Sequence, residues 1–337
     1  MKKTTESLGS PFDAGIPRHR RRILVVGSMN MDLVVRVARF PLPGETLAGE
    51  DLFQAPGGKG ANQAVAAARA GARVSFLGAV GKDLHGSVLV STLKQFGVET
   101  SGVKALPNAS TGTAMITVAS TGENCIVISP GANGRVGKSL VAARRDLFRT
   151  AGLVLLQREI PEAAVARALE LAKEEGLLAV WNPAPMGRVP PGLLRLTTVL
   201  IVNETEAAAL SGHPISGLAA ASRAAATLSR RLRPGGLAVI TLGKAGACAA
   251  SPRVGVEWIR PHRVRAVDST AAGDTFAGAL AARLLETADP LDACRFANAA
   301  AAISVTRPGA IPSIPDRREI EAKLRSSRGR AILPPGS

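Results

Sequence analysis

The stretch from Asp268 to Leu280, Asp-Ser-Thr-Ala-Ala-Gly-Asp-Thr-Phe-Ala-Gly-Ala-Leu, combines two carboxylates with a run of small residues. After Asp274, apolar side chains recur at three- and four-residue steps, which predicts a helix to about Leu285. The Ala-Ala-Gly-Asp run then lies at a helix N-terminus, where unpaired N–H groups and the helix dipole favour an anion. A kinase uses this combination, because amides hold the transferring phosphoryl group while a carboxylate takes a proton from the attacking hydroxyl. An Asp that only complements the helix dipole is an equally good interpretation of this stretch alone.

A glycine-rich loop, Ala-Pro-Gly-Gly-Lys-Gly-Ala-Asn-Gln at residues 55–63, precedes an Ala-rich segment that predicts a helix. The loop lacks the Gly-Lys-Ser/Thr of a Walker A loop and the spacing of a dinucleotide-binding fingerprint. Gly57 and Gly58 can expose backbone N–H groups to a small ligand, and Asn62 carries an amide that can bond hydroxyl groups. A flexible glycine turn would have the same sequence, so the loop alone is a weak signal.

Polar side chains follow the first predicted strand, an apolar run at residues 23–27. Asn30 and Asp32 come at its carboxyl end, where open α/β sheets place ligands, and such groups can hold vicinal hydroxyls of a sugar. A polar turn explains them equally well. Asn203 and Glu206 are three residues apart, and from this spacing alone we favour a helix capping box.

The elements that must position these residues follow from local patterns. Residues 111–119 and 124–129 flank Ser-Thr-Gly-Glu, which predicts a β-hairpin. The run at residues 237–242 predicts a strand that ends in a glycine turn able to meet phosphate or ribose. Other strands are predicted at 33–37, 74–80, 152–157, 178–181 and 196–202, and other helices at 161–175 and 292–303.

Composition narrows the class of protein. The 337 residues fit one large α/β domain or two smaller ones. A net charge of +16 suits a nucleic acid or a small polyanion such as a nucleotide, but an aromatic content of 3% gives little support for base stacking. The three cysteines, Cys125, Cys248 and Cys294, have neither zinc-site nor disulfide spacing, which fits a reducing compartment. With no apolar run of transmembrane length and no secretory signal, we expect a cytoplasmic protein with a basic, disordered tail over residues 1–22.

Two of these segments together resemble the signatures of the ribokinase-like carbohydrate kinase family. They are Gly-Gly-Lys-Gly-Ala-Asn-Gln-Ala-Val-Ala-Ala-Ala at residues 57–68 and Asp-Ser-Thr-Ala-Ala-Gly-Asp-Thr-Phe at residues 268–276. The resemblance extends from about Ile23 to Pro315. Shorter runs match the family in type and order at residues 40–46, 130–133, 182–185 and 203–206.

The resemblance implies a fold. We expect a doubly wound, mainly parallel α/β sheet flanked by helices, the kinase domain, over residues 23–320. A small β-sheet lid would be discontinuous, from about 33–55 and 111–129. Residues 321–337 would be a C-terminal helix end and tail.

The resemblance also implies roles for individual residues. Asp274 would be the general base, and the backbone amides of Ala271, Ala272 and Gly273 would form the anion hole. Together with Asp274, the sugar would contact Asn30, Asp32, Gly58, Lys59, Gly60, Asn62 and Glu159. ATP would contact Asn203, Thr241, Gly243, Gly246, Gly273 and Asn298, which replaces the capping interpretation of Asn203. Glu206 would order Mg²⁺ through water, and K⁺ would take oxygens from Asp268, Thr270, Ser304, Arg307, Gly309 and Ser313.

The implied reaction is ATP-dependent phosphorylation of D-ribose at its 5-hydroxyl to give ribose 5-phosphate. Another small sugar or a nucleoside, such as deoxyribose, fructose or adenosine, is the alternative substrate. We expect a homodimer through the lid, with no membrane or nucleic-acid partner. Two alternatives from other classes are a nucleic-acid-binding regulator that kept a kinase fold and a sugar-binding protein without turnover. Asp274 argues against the regulator, since a non-enzyme has no need for a base.

Overall fold

The computed structural model describes residues 11–12 and 17–328. Most of the predicted tail at 1–22, and residues 329–337 of the predicted C-terminal end, lie outside the described residues. Within the described part of that tail, Phe12 is buried against the core and the first strand already begins at Arg22. The structure therefore ties part of this N-terminal segment to the domain.

Thirteen strands occur in the described residues. They are β1 (Arg22–Val26), β2 (Asn30–Val37), β3 (Phe53–Gly57), β4 (Arg73–Gly81), β5 (Glu99–Leu106), β6 (Gly112–Ala119), β7 (Asn124–Ser129), β8 (Leu153–Leu156), β9 (Leu178–Trp181), β10 (Val199–Asn203), β11 (Leu237–Thr241), β12 (Ala247–Ser251) and β13 (Gly255–Ile259).

Eleven α-helices occur in the same part of the chain. They are α1 (Lys59–Arg69), α2 (Leu84–Gln95), α3 (Lys138–Ala143), α4 (Arg145–Thr150), α5 (Glu162–Glu174), α6 (Pro191–Leu194), α7 (Glu204–Ser211), α8 (Leu218–Ser229), α9 (Ala272–Thr287), α10 (Pro290–Ser304) and α11 (Arg317–Arg328).

Among the described residues, nine strands form the central sheet in the order β13-β12-β11-β10-β9-β8-β1-β4-β5. The seven strands from β11 to β5 in this order pair in parallel, and β12 and β13 add an antiparallel edge. The inner strands are continuous apolar runs because both faces of a parallel sheet are covered by helices. This architecture confirms the predicted doubly wound, mainly parallel sheet.

The core lies in two layers, one on each face of this sheet. Since successive side chains of a strand point to opposite faces, Ile23 and Val25 enter one layer while Leu24 and Val26 enter the other. Helices α1, α9 and α10 cover the first layer, and helices α5 and α8 cover the second. This arrangement fixes the first turns of α1 and α9 against the same face of the sheet.

A separate sheet of four strands, in the order β3-β2-β6-β7 within the described residues, forms the smaller layer. The predicted hairpin is confirmed as β6 and β7, which pair antiparallel. It pairs with the segment at 33–55 as expected, because β6 lies beside β2 in parallel register. Strand β2 begins at Asn30 and not at residue 33, so Asn30 and Asp32 lie in a strand and the polar-turn interpretation is wrong.

Candidate active site

The order of the strands locates a crevice in the central sheet. From β1 the chain continues outward through β4 and β5, whereas from β8 it continues in the opposite direction through β9, β10 and β11. Neighbouring strands whose connections diverge in this way leave a crevice at their carboxyl ends, which is where such sheets bind ligands. Ser28 follows β1 and Glu159 follows β8, and the Ser28 Oγ donates a hydrogen bond of 2.6 Å to Glu159 Oε2.

The glycine-rich loop lies directly over this crevice. The backbone N–H of Lys59 donates to Glu159 Oε2 at 3.0 Å, and the N–H of Gly60 donates to Ser28 Oγ at 3.3 Å. Gly58 has φ +89°, and a Cβ added at Gly60 would lie 2.5 Å from the backbone N of Ser28. The loop therefore needs glycine for both conformation and close approach, so the flexible-turn interpretation does not explain it.

Asp274 is buried in the first turn of α9, and its carboxylate is held by the first turn of α1. The Nδ2 of Asn62 donates to Asp274 Oδ2 at 3.0 Å, and the Nε2 of Gln63 donates to Asp274 Oδ1 at 2.9 Å. The residue before the helix, Ala271, has φ +56°, a left-handed conformation that costs a non-glycine residue about 1–3 kcal/mol. The two family signatures thus meet at one carboxylate.

Polar groups of the small sheet face the same crevice. The Nδ2 of Asn133 donates to Asn30 Oδ1 at 2.8 Å and to the carbonyl of Met29 at 2.9 Å, which fixes the Asn30 amide. The Asp32 carboxylate lies against Gly57, since a Cβ added there would be 2.2 Å from Asp32 Oδ2. Burial first, and then the negative charges of Glu159 and Asp274, raise the pKa of Asp32 to about 7.

A cleft of about 230 Å³ opens on the other side of Asp274. Lys59, Asn203, Glu206 and Gly273 are among its lining residues. The capping box predicted from spacing alone is present, since the N–H of Glu206 donates to Asn203 Oδ1 at 2.8 Å and the N–H of Asn203 donates to Glu206 Oε2 at 2.9 Å. Asn203 and Glu206 can therefore cap α7 and line the cleft at the same time.

Charges of both signs meet in this cleft. Burial raises the pKa of the Glu206 carboxyl, and the negative charge of Asp274 adds to the shift. The same Asp274 charge, with smaller contributions from Glu159 and Glu206, raises the pKa of Lys59. A lysine held among three carboxylates stays charged, so the cleft presents a fixed cation next to Asp274.

A larger cavity of about 460 Å³ adjoins the cleft, and Thr241, Ser269, Ala272 and Gly273 line both spaces. Gly243, Gly246 and Asn298, all predicted ATP contacts, line the larger cavity. The Nδ2 of Asn298 donates to the carbonyl of Arg260 at 2.8 Å. Apolar residues of α9 and of the end of α10 also line it, and we call them the apolar wall, which suits a flat ring system: Phe276, Ala301, Ala302 and Val305.

The residues predicted to bind a monovalent cation lie at the start of the α9 signature, at the last residue of α10 and in the loop after it. Thr270 donates through N and Oγ1 to Asp268 Oδ1 at 2.8 and 2.6 Å, and the N–H of Gly309 donates to Asp268 Oδ2 at 2.8 Å. Ser304, the last residue of α10, and Ser313, in the segment after it, are both fully buried. The Arg307 side chain pairs with Glu319, so the atom of Arg307 that we expect to bind the cation is its backbone carbonyl oxygen.

Sequence reasoning missed several residues that build the site. Ser28, Gln63, Asn133, Gln157 and Asn182 all donate or accept hydrogen bonds within it. Gln63, Asn133 and Asn182 belong to runs that matched the family, so a signal existed for them. Ser28 and Gln157 carried none beyond their positions at the ends of strands.

The sequence profile of the pfkB family carbohydrate kinases matches residues 20–317. The chain belongs to this family. It is 42% identical over 311 residues to a ribokinase of Schizosaccharomyces pombe, which covers 90% of this chain and 97% of that protein. It is 40% identical over 302 residues to a ribokinase of Haemophilus influenzae, covering 89% of this chain and 97% of that protein.

Solved structures of the family share the fold. A ribokinase of Arabidopsis thaliana complexed with ribose and ATP has a TM-score of 0.85 at 32% identity, covering 90% of this chain and 99% of that one. A ribokinase of Thermotoga maritima has a TM-score of 0.81 at 36% identity, covering 90% and 99%. This pfkB family member is therefore a carbohydrate kinase, as its two signatures predicted. Over residues 11–12 and 17–328, no helix combines the length and the apolar character needed to cross a membrane.

Proposed function

We propose that this carbohydrate kinase transfers the γ-phosphoryl group of ATP to the 5-hydroxyl of D-ribose, giving ribose 5-phosphate and ADP. The observation that carries the proposal is the position of Asp274. Its buried carboxylate lies where the polar groups of the small sheet meet the cleft that leads to the larger cavity. The named relatives, and the relative whose structure holds ribose and ATP, support the same pair of substrates.

In the proposed reaction, Asp274 takes the proton of the sugar 5-hydroxyl as its oxygen forms a bond to the γ-phosphorus. The bond from that phosphorus to the bridging oxygen of ADP breaks, and ADP leaves with the electron pair. We assign the transferring charge to the backbone N–H groups of Ala271, Ala272 and Gly273 at the start of α9. The N–H of Ala272 donates to the carbonyl of Ser269 at 3.2 Å and would exchange that partner for the phosphoryl group. Lys59 supplies a positive charge beside the same space.

The sugar would lie between the small sheet and the glycine-rich loop. Asn30 and Asp32 would bond its hydroxyls from β2, and Asn62 and Glu159 would do so from α1 and from the loop after β8. Ser28 and the N–H of Lys59 occupy one oxygen of Glu159, so its Oε1 is the acceptor that we assign to a hydroxyl. Gly58 and Gly60 keep the loop close enough for backbone contact.

ATP would occupy the larger cavity, with its base against Asn298 and the apolar wall and its ribose near Gly243 and Gly246. Its phosphates would extend past Thr241 toward Asn203 and Gly273. Mg²⁺ fits here, because the buried Glu206 has one carboxylate oxygen committed to the capping box and one left to order water around the ion. When bound, Mg²⁺ would neutralise phosphate charge.

The first experiment measures ADP release with Mg·ATP and K⁺ for D-ribose, 2-deoxyribose, fructose, adenosine and no sugar. We expect the highest kcat/KM with D-ribose. A clear preference for another of these compounds would replace the proposed substrate. ATP binding without ADP release on any of them would contradict the proposed reaction.

The pKa of Asp32 predicts how sugar affinity depends on pH. Because hydroxyl groups donate best to the ionised carboxylate, the KM for ribose should fall by up to about tenfold between pH 6 and 8.

The raised pKa of Asp32 also affects the stability of the protein without sugar, and here a rise in pH is unfavourable. Between 3.8 and about 7 the folded state keeps a proton that the unfolded chain has released, so the free energy of unfolding falls as pH rises through this window.

The check is a pair of KM–pH profiles, for the wild type and for Asp32→Asn. The Asp32→Asn protein should bind ribose more weakly and lose this part of the pH dependence. Equal slopes in the two proteins would show that another group is responsible.

We also propose that K⁺ binds between the residues before α9 and the loop that joins α10 to α11. Its ligands would be Asp268 and the backbone oxygens of Thr270, Ser304, Arg307, Gly309 and Ser313. An oxygen-only set with several carbonyls fits K⁺. Asp268 accepts hydrogen bonds from Gly309 in this loop and from Thr270, the residue before Ala271. The loop is thereby connected to the anion hole, and the bound ion would act by keeping the anion hole in shape. At equal ionic strength we expect a higher kcat in K⁺ than in Na⁺, and a smaller difference in Asp268→Asn. Equal wild-type rates in the two ions would refute the proposal.

A homodimer through the small sheet is the proposed assembly. Strand β7 exposes apolar side chains along its length, with Ile126 49%, Val127 56% and Ile128 43% exposed. Large apolar side chains grouped in this way are typical of a protein interface. We expect a dimer by sedimentation equilibrium and a monomer for the double variant Ile126→Lys, Ile128→Lys. A monomeric wild type at enzyme-assay and higher concentrations would contradict the proposal.

A further inference from the structure

Two glutamines that are completely buried form a hydrogen-bonded chain that ends on Asp274. The Nε2 of Gln157 donates to Gln63 Oε1 at 2.7 Å. The Nε2 of Gln63 donates to Asp274 Oδ1 at 2.9 Å and to Asn182 Oδ1 at 3.2 Å. The glutamine pair therefore links the carboxyl end of β8 to the first turn of α9 through α1.

The direction of both amides follows from their partners. If the Gln63 amide were reversed, its oxygen would face the oxygens of both Asp274 and Asn182. If the Gln157 amide were reversed, its oxygen would face Gln63 Oε1. The Asn182 oxygen is itself directed at Gln63, because Asn182 Nδ2 donates to the carbonyl of Ile201 at 2.9 Å. A single arrangement of donors satisfies the chain, and in it an N–H points at Asp274.

The fold accommodates Gln157 at a cost. Its Oε1 is buried without a hydrogen-bond partner among the described residues. Its amide also fills the space beside Gly27, where an added Cβ would lie 2.0 Å from Gln157 Oε1. Packing alone would be served better by an apolar side chain at this position, since an unpaired buried polar atom is unfavourable.

We propose that Gln157 and Gln63 are positioning residues for the phosphoryl transfer, and that their task is to hold Asp274 Oδ1 so that Oδ2 faces the sugar hydroxyl beside Asn62. The inference rests on the proposed role of Asp274 as base. Neither glutamine lines the cleft or the larger cavity. Their loss should therefore lower kcat and leave the KM values of ribose and ATP close to those of the wild type.

Two variants at the far end of the chain separate positioning from packing. Gln157→Met keeps the length but removes the donor to Gln63, and we expect kcat to fall about tenfold, as for small misplacements of a reacting group. Gln157→Glu has the same shape. As an ionised acceptor it would draw the Gln63 N–H away from Asp274, with an expected loss of about 100-fold.

The Gln157→Glu variant also provides a pH signature. In its protonated form the introduced carboxylic acid donates to Gln63 Oε1 as the amide does, so kcat relative to the wild type should rise as pH is lowered from 8 to 5.5. For Gln157→Met the same ratio should stay constant with pH. A role in packing alone predicts no difference between the two profiles.

The experiment measures kcat, both KM values, nucleotide-binding stoichiometry and Tm for these variants. Thr197→Val is the matched control, because Thr197 is buried and bonded to the carbonyl of Leu193 at the amino end of β10, away from the site. It should lose stability and keep kcat. If Gln157→Glu does not fold, Gln157→Met decides alone, and a wild-type kcat in that variant overturns the inference.

The failure of the inference and of the proposed function are distinguishable through Asp274→Asn. If that variant is inactive while both Gln157 variants keep wild-type kcat, the glutamine pair has no positioning role and the base assignment stands. If Asp274→Asn keeps wild-type kcat, both proposals are overturned, since no base remains to be positioned.

Discussion

Replacing Asp274 by Asn is expected to lower kcat by about 10²–10⁴-fold, the range found for positioned general bases. Asparagine keeps the size of the side chain but accepts no proton from the sugar hydroxyl. It also presents its amide N–H₂ to one of two donors, Asn62 Nδ2 or Gln63 Nε2, because both now point at carboxylate oxygens. We therefore expect a loss of about 1–3 kcal/mol in the free energy of unfolding as well.

The stability loss makes a matched control necessary. Asp292 lies in the first turn of α10, as Asp274 lies in the first turn of α9, and it pairs with Arg283 away from the site. Asp292→Asn tests what a first-turn carboxylate contributes through the helix dipole and an ion pair alone. Steady-state ADP release, normalised to bound nucleotide, should fall steeply for Asp274→Asn and stay near wild type for Asp292→Asn. If both variants keep kcat, Asp274 is only a helix-dipole residue.

The fold was predictable where periodicity and turn chemistry are strong. The apolar run at residues 23–27, the hairpin around Ser-Thr-Gly-Glu and the helix after Asp274 all appear in the structure close to their predicted limits. Strand β2 was predicted to begin at residue 33 but begins at Asn30, because the two polar side chains at its start interrupt the apolar pattern while the backbone stays paired. A strand that lines a ligand site carries polar residues, and hydrophobic periodicity alone therefore fails to predict its full length.

The candidate site was predictable only as separate pieces. The bond from Asn62 to Asp274 joins residues 212 positions apart, and the bond from Ser28 to Glu159 joins residues 131 positions apart. No local pattern contains such pairs, and only the family resemblance placed Asn62 and Asp274 in one site. Asn203 and Glu206 illustrate a further limit, since one spacing gives both a capping box and a place beside the cleft.

The left-handed conformation of Ala271 could not be predicted from its type, because alanine rarely adopts it. It turns the backbone immediately before α9, where Ala272 and Gly273 line both the cleft and the larger cavity. Strained backbone of this kind is typical of functional sites, where the surrounding fold enforces it. The sequence therefore predicts that an anion site exists here, whereas its shape depends on the tertiary structure.

Gly273→Ala is expected to lower kcat/KM by about 100-fold while leaving the protein as stable as the wild type or more so. Gly273 lines both the cleft and the larger cavity, and a Cβ added to it meets no atom within 4 Å. Its place in α9 needs no left-handed conformation, and alanine favours a helix over glycine by about 1 kcal/mol. The added methyl group would instead occupy space that we assign to the transferring phosphoryl group.

Gly278→Ala in the same helix is the matched control for the methyl group. There the added Cβ would lie 2.4 Å from the carbonyl oxygen of Gln63 and 2.6 Å from Ala66 Cβ, where α9 packs on α1. That variant should lose stability, as overpacked cores do by about 1–3 kcal/mol. Tm and kcat/KM are measured for both variants. Gly273→Ala should lose activity without a fall in Tm, whereas Gly278→Ala should show a lower Tm. A Gly273→Ala enzyme with wild-type kcat/KM would mean that the phosphoryl group does not pass over this turn of α9.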